Sequence, residues 1–269
     1  MSRRFAASAG MALALAACAT ISTQQEVQMG AQYAAEINKQ LPIIQDPEIN
    51  RYVNMLGDSI ARLSDDRNLD WHFYVVDSRE VNAFAVPGGY VYVNRGIIER
   101  ADKMDQVAGV LGHEIGHVIR RHSVKLMEKE QAANVGVALG CILTKVCTNP
   151  ATGAAINVAG SAVFAKFSRQ DEQEADESGV TFVTRAGIDP HGIPEMFQKL
   201  LDERKTQPTL VDAWFATHPL EESRIADTQA MIAKIDPLVL QSLTQDTKNF
   251  HQFQDRVRAL PPPPTPPSK

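Results

Sequence analysis

The sequence predicts an α+β fold, predominantly α-helical, with a small, mainly antiparallel sheet packed on one central helix. Three observations predict it. Met104, Val107, Ala108, Leu111, Ile115 and Val118 recur at helical spacing. Just before them, residues 71–77, 82–86 and 90–93 form short runs rich in β-branched and aromatic side chains. After residue 168 the chain carries helix start and stop signals and no further strand pattern.

The chain has 269 residues, of which 22% are charged and 6% aromatic, an ordinary globular composition. Its formal charge of −5 gives no reason to expect a nucleic-acid partner. Arg3 and Arg4 precede an Ala/Leu-rich run, and residues 1–17 read as a lipoprotein signal peptide. Leu15-Ala16-Ala17-Cys18 looks like a bacterial lipobox, with Cys18 as the lipidated residue. Ala19, rather than Asp, follows it, so the expected location is the periplasm, anchored to the outer membrane. Residues 18–24 are the linker and 25–255 the expected catalytic domain.

Residues 20–40 run from linker into helix, and Asp46-Pro47 opens a second helix. Pro87-Gly88-Gly89 is a tight turn between the second and third strands. Asn82, Ala83, Phe84 and Ala85 precede it and have two readings: a sheet edge that holds an extended peptide by main-chain pairing, or a plain hairpin. In the central helix Asp102 is the expected N-cap, and Gly109, Gly112 and Gly116 each cost roughly 1 kcal/mol against Ala. Such a cluster implies a second backbone packed very close.

Residues 131–167 are nearly uncharged and interrupted at Asn149-Pro150. Neither half reaches the roughly 18 apolar residues of a membrane span, so the stretch reads as an apolar lid or hairpin, or as a buried helix pair. Cys141 and Cys147 lie within it, as a disulfide or as free thiols. Helices are expected over 168–185, over 194–203 and after Pro219. Residues 256–269 form a Pro-rich disordered tail.

The chemistry centres on His113-Glu114-x-x-His117. Histidines four apart share a helix face, so both imidazoles can bind one metal ion. Glu114 beside them can take a proton from the attacking water. A catalytic zinc needs a third protein ligand. The acidic run from Asp171 to Asp176 offers Glu172 or Glu174, with Asp176 free to orient a ligand histidine. His122 is a poorer ligand candidate, because continued helix would turn it about 140° past His117.

Glu172-x-x-Ala175-Asp176 resembles the zinc metallopeptidases related to the prenyl-protein (CAAX) protease, of the BepA/LoiP/HtpX kind. The resemblance continues in Asn82-Ala83-Phe84-Ala85-Val86-Pro87-Gly88-Gly89 and in Thr217-His218-Pro219 with Arg224. It implies a gluzincin-like domain with one zinc ion on His113, His117 and Glu172, and Glu114 as the general base. It favours Glu172 over Glu174, makes residues 82–85 a substrate edge strand, and places His218 and Arg224 near the site. The stretch after Ile235 is too short for the helical-repeat domain of BepA-like members, so the chain is most similar to the compact LoiP-like ones.

The expected function is a zinc-dependent endopeptidase acting on unfolded or misassembled envelope proteins. The rival is an outer-membrane protein assembly chaperone, in contact with the assembly machinery, whose zinc is structural or latched by His218 as a fourth ligand.

Overall fold

Helix start signals and a buried apolar stripe account for the first two helices of the computed structural model, which describes residues 20–131, 166–219 and 222–264. Cys18, Cys141, Cys147 and nearly all of the apolar 131–167 stretch lie outside the described residues. Helix α1 (Thr23–Gln40) opens on Ser22, whose hydroxyl accepts from the Gln25 N–H while the Gln25 side chain accepts from the Ser22 N–H. Helix α2 (Pro47–Ala61) is capped by Asp46, with Pro47 in its first turn, and buries Ile49, Val53, Leu56 and Ile60.

The sheet is three-stranded, ordered β1-β3-β2. β1 (His72–Val76) and β3 (Tyr90–Asn94) run parallel, with Phe73 opposite Val91. β2 (Ala83–Val86) pairs antiparallel with β3, with Phe84 opposite Tyr92. The sheet is therefore mixed, with one pair of each kind, rather than mainly antiparallel. Gly88 and Gly89, at φ of 86° and 101°, fold β2 onto β3 as a hairpin, and the crossing of the chain from β1 sets β3, between the two, parallel to β1. The outer side of β1 is covered, since Ile44 N–H donates to the Val75 carbonyl and Asp77 N–H to the Pro42 carbonyl. Among the described residues no strand pairs with the outer side of β2.

Helix α3 (Arg95–Arg100) leads into the central helix α4 (Met104–Ile119). Lys103, not Asp102, occupies the N-cap position of α4 and makes no side-chain cap bond. Groups distant in sequence supply the acceptors instead: Met104 N–H donates to Asp246 Oδ1 and Asp105 N–H to the Gln245 carbonyl. Asp105 itself is fully buried, and among the described residues neither of its carboxylate oxygens has a hydrogen-bond partner. Burial pushes its carboxyl up to about 7, against the pull of Lys103 at 3.7 Å.

The chain turns sharply after α4. Arg121 takes φ of 60°, and a new helical stretch, α5 (residues 122–131), begins at once. The turn is held from the N-terminal side. Arg121 and Arg67 both bond the fully buried Glu26 carboxylate, Arg121 also donates to the Ile21 carbonyl, and Arg67 to the Val118 carbonyl.

Helices α6 (Arg169–Arg185), α7 (Gly192–Thr206), α8 (Pro208–Thr217), α9 (Glu222–Ile232), α10 (Pro237–Gln241) and α11 (Lys248–Arg258) complete the fold. α6 packs directly on Gly112 and Gly116 of α4, while Gly109 faces Ile193 of α7. A Cβ on Gly112 would sit 2.9 Å from Val183 Cγ1, and one on Gly116 would sit 3.0 Å from the Ala175 carbonyl oxygen. The predicted close approach of a second backbone is therefore this α4–α6 seam. None of the helices among the described residues is long and apolar enough to cross a membrane.

Candidate metal centre

Three helices and one cap deliver the polar side chains to a buried point. α4 contributes His113, Glu114 and His117 from one face, as a four-residue spacing requires. α6 contributes Glu172 from its first turn and Asp176 one turn later. His218 is the C-cap residue of α8, and Arg224 comes from α9. All seven are buried.

His113, His117, Glu172 and His218 each offer a ligand atom, all within 4.8 Å of one another. Nε2 of His113 lies 3.0 Å from Nε2 of His117 and 3.4 Å from Nδ1 of His218. The Glu172 carboxylate lies 3.4 Å from His117 Nε2, 3.7 Å from His113 Nε2 and 3.1 Å from His218 Nδ1. Ligand atoms about 2.0–2.1 Å from a tetrahedral zinc stand roughly 3.3 Å apart. The observed separations scatter about that edge length, so the donor set fits a small tetrahedral cation. Without such a cation, three imidazoles and a carboxylate would crowd lone pairs together in a water-poor interior.

The surrounding groups fix orientation and charge. His113 Nδ1 faces Asp176 Oδ1 at 2.9 Å, which leaves Nε2 for the metal. Arg224 donates to both carboxylates, reaching Asp176 through Nε at 2.8 Å and Nη2 at 2.7 Å, and Glu172 through Nη1 at 2.5 Å. One guanidinium thus bridges two buried acids, offsets part of their charge and holds their geometry. The Trp214 ring stacks on His218 and the Phe167 ring on His117, with centroids 4.7 Å and 4.0 Å apart.

Burial pushes the Glu114 carboxyl up and the His117 imidazole well down from their ordinary values. Burial acts on Glu172 too, but the facing imidazoles of His218 and His117 outweigh it and hold that carboxyl well below the carboxylate range. His218 goes the other way: burial opposes its charge, and Glu172 and Glu114 outweigh the burial and raise it. Both oxygens of Glu114 are buried and find no hydrogen-bond partner among the described residues. A carboxylate in that condition is poised to meet a ligand not supplied by the chain.

The sequence candidates therefore come together, with two exceptions. Glu174 is not in the cluster; it faces outward, bonded to Gln170 and to His122. His122 is not carried round the far side of α4, because α4 ends and the Arg121 turn brings the ring back beneath His117, Nδ1 to Nδ1 at 2.9 Å. Sequence reasoning missed this contact. Neither Gly nor Pro marks the turn, and only the φ of Arg121 reveals it. Ala83–Ala85 lie in the outer strand β2, and Ala85 and Pro87 line a narrow cleft together with His117 and Val118.

The profile of peptidase family M48 matches residues 47–232. The chain is 36% identical over 232 residues to the beta-barrel assembly-enhancing protease of Escherichia coli K12, covering 83% of this chain and 47% of the relative. The Yersinia pestis protein of the same name is 34% identical over 228 residues, covering 81% and 46%. The mitochondrial metalloendopeptidase OMA1 of Schizosaccharomyces pombe is 28% identical over 182 residues, covering 65% and 50%. The chain thus spans about half the length of the curated relatives it matches.

Proposed function

Because the chain belongs to peptidase family M48, we propose that it is a zinc-dependent endopeptidase of the bacterial periplasm that cleaves unfolded or misassembled envelope proteins. One observation carries the reading. The Glu114 carboxylate, buried and without a hydrogen-bond partner among the described residues, adjoins a donor set with the edge lengths of a tetrahedral metal site.

His113, His117 and Glu172 would hold the zinc. When bound, zinc supplies Lewis-acid polarisation of the scissile carbonyl and lowers the pKa of a water molecule. The remaining work belongs to the chain. Glu114 takes the proton of the attacking water on a carboxylate oxygen, and its burial, by raising its affinity for that proton, suits it to hold the proton and pass it to the leaving amine. Asp176 keeps the His113 proton on Nδ1. Arg224 holds Glu172 and Asp176 in place while the centre changes charge. Among the described residues no strand pairs with the outer side of β2, and Ala85 at that side lines a cleft with His117, a place where an extended peptide could lie.

The periplasmic location and the lipid on Cys18 rest on Leu15-Ala16-Ala17-Cys18. The substrate class rests on that location and on the relatives' name. The assembly machinery of the outer membrane is the corresponding partner class. A second reading is favoured by the position of His218, whose Nδ1 fills the fourth corner of the donor set. In that reading the zinc is latched or structural, and the protein assists outer-membrane assembly.

Zinc content measured alongside casein cleavage, for wild type and Glu114→Gln, tests the proposal. Wild type should bind one zinc and cleave. Gln should keep the metal and lose about 100-fold or more in turnover, since it cannot accept the proton. Undiminished proteolysis by Glu114→Gln overturns the mechanism.

A further inference from the structure

A histidine bound to a metal through Nε2 carries its proton on Nδ1, and that N–H needs an acceptor. For His113 the acceptor is Asp176. For His117 no carboxylate or carbonyl stands there among the described residues; the atom at 2.9 Å is Nδ1 of His122. Two ring nitrogens at that distance cannot both carry protons. If His117 donates, His122 Nδ1 is the acceptor and its proton sits on Nε2. That nitrogen faces the Glu174 carboxylate at 3.3 Å, with Asp171 farther off at 3.8 Å. Every proton then has an assigned place: His117 Nδ1–H to His122, and His122 Nε2–H to Glu174. The His122 side chain is 0% exposed, so water does not substitute for these partners. We propose that His122 and Glu174 are positioning residues for the ligand His117, a two-step relay that fixes its tautomer and ring orientation.

This arrangement differs in kind from the one behind His113. Asp176 is itself buried and pinned by Arg224. Glu174 sits at the surface end of the relay, with Gln170 on its other oxygen. The relay therefore gives the second ligand an outer support anchored where α5 meets the N-terminal end of α6. It also assigns a task to the carboxylate that spacing alone made a rival ligand. The inference rests on the zinc reading above and adds to it.

The test is zinc affinity by competition with a chromogenic chelator on the full chain, with far-UV circular dichroism of the metal-free proteins as the folding control. His122→Ala should weaken zinc binding about 10–100-fold, the usual cost of losing an outer partner of a ligand histidine. His122→Asn, whose side-chain oxygen takes the place of Nδ1 and accepts the His117 proton, should recover most of that loss. Glu174→Gln should cost less than His122→Ala. Long-range nitrogen–proton NMR of the zinc-loaded wild type should show His117 protonated on Nδ1 and His122 on Nε2, a readout that packing alone does not set. Wild-type affinity in His122→Ala, equal losses in the Ala and Asn variants when both are folded, or His122 protonated on Nδ1 each overturn the relay. If His122→Ala does not fold, the tautomer measurement decides. If wild type takes up no zinc, the metal centre falls and the relay with it; weakened zinc binding in His113→Ala beside wild-type affinity in His122→Ala overturns the relay alone.

Discussion

His218 faces two acids at once: Nδ1 lies 3.1 Å from Glu172 Oε1, and Nε2 lies 3.4 Å from Glu114 Oε1. One ring therefore touches both the proposed ligand set and the proposed base. An imidazole so placed can close the fourth position on the metal and hold the enzyme at rest, or it can stabilise the transition state. The two roles predict opposite signs. We expect the latch: His218→Ala should keep its zinc, cleave casein several-fold faster and digest itself on storage. A fall in turnover at unchanged zinc content assigns the other role.

The acidic run of α6 separates into a member that meets the histidines and one that does not. Glu172→Ala should lower zinc occupancy sharply, because it removes a ligand oxygen and leaves the cation of Arg224, offset by Asp176 but no longer by Glu172, closer in charge balance to repelling a metal ion. Glu174→Ala should still bind one zinc at saturation. Metal analysis of the two purified variants checks this, and the reverse order shows the wrong carboxylate was chosen.

Asp105 yields a stability prediction with a definite sign. Its folded value is about 7 against 3.8 for the free side chain. The folded chain therefore binds more protons than the unfolded one between those limits, and this residue lowers stability as pH rises through that window. At about 1.36 kcal/mol per pKa unit the full penalty is of the order of a few kcal/mol. Asp105→Asn should raise the melting temperature, and more at pH 8 than at pH 5. An equal gain at both pH values, or a loss at pH 8, refutes it.

The anchor is tested by Cys18→Ser. The variant should leave the membrane fraction and appear in the soluble periplasm. A processed variant that stays with the membranes rules out lipidation at this residue.

The metal helix was legible because its signals are local. Two histidines one turn apart need only 3.6-residue geometry, and three glycines in one helix announce a close neighbour. The cap of the same helix was not legible, because Asp246 and Gln245, far along the chain, supply its acceptors. Nor was the parallel β1–β3 pairing, which depends on where the chain crosses rather than on any strand's own pattern. Helix α8 was missed although Pro208 marks its start, since Trp214 and Phe215 give it only a short apolar stripe. His122 shows the limit most clearly. Helical arithmetic sent it away from the metal, and a single backbone angle at Arg121 returned it.

The glycine seam between α4 and α6 has a mechanical meaning. His113 and His117 ride on one helix and Glu172 on the other, and at Gly112 and Gly116 the two backbones are separated by almost nothing that can be compressed. In a machinist's terms there is no clearance along that line: the helices can neither roll nor slide without collision, so three of the four donor atoms form a fixed jig. The fourth, His218, comes from a different part of the chain, the end of α8, and is not clamped by that seam. Ala at Gly112 or Gly116 would act as a shim driven into the jig, spreading the donor atoms far from any contact with the substrate.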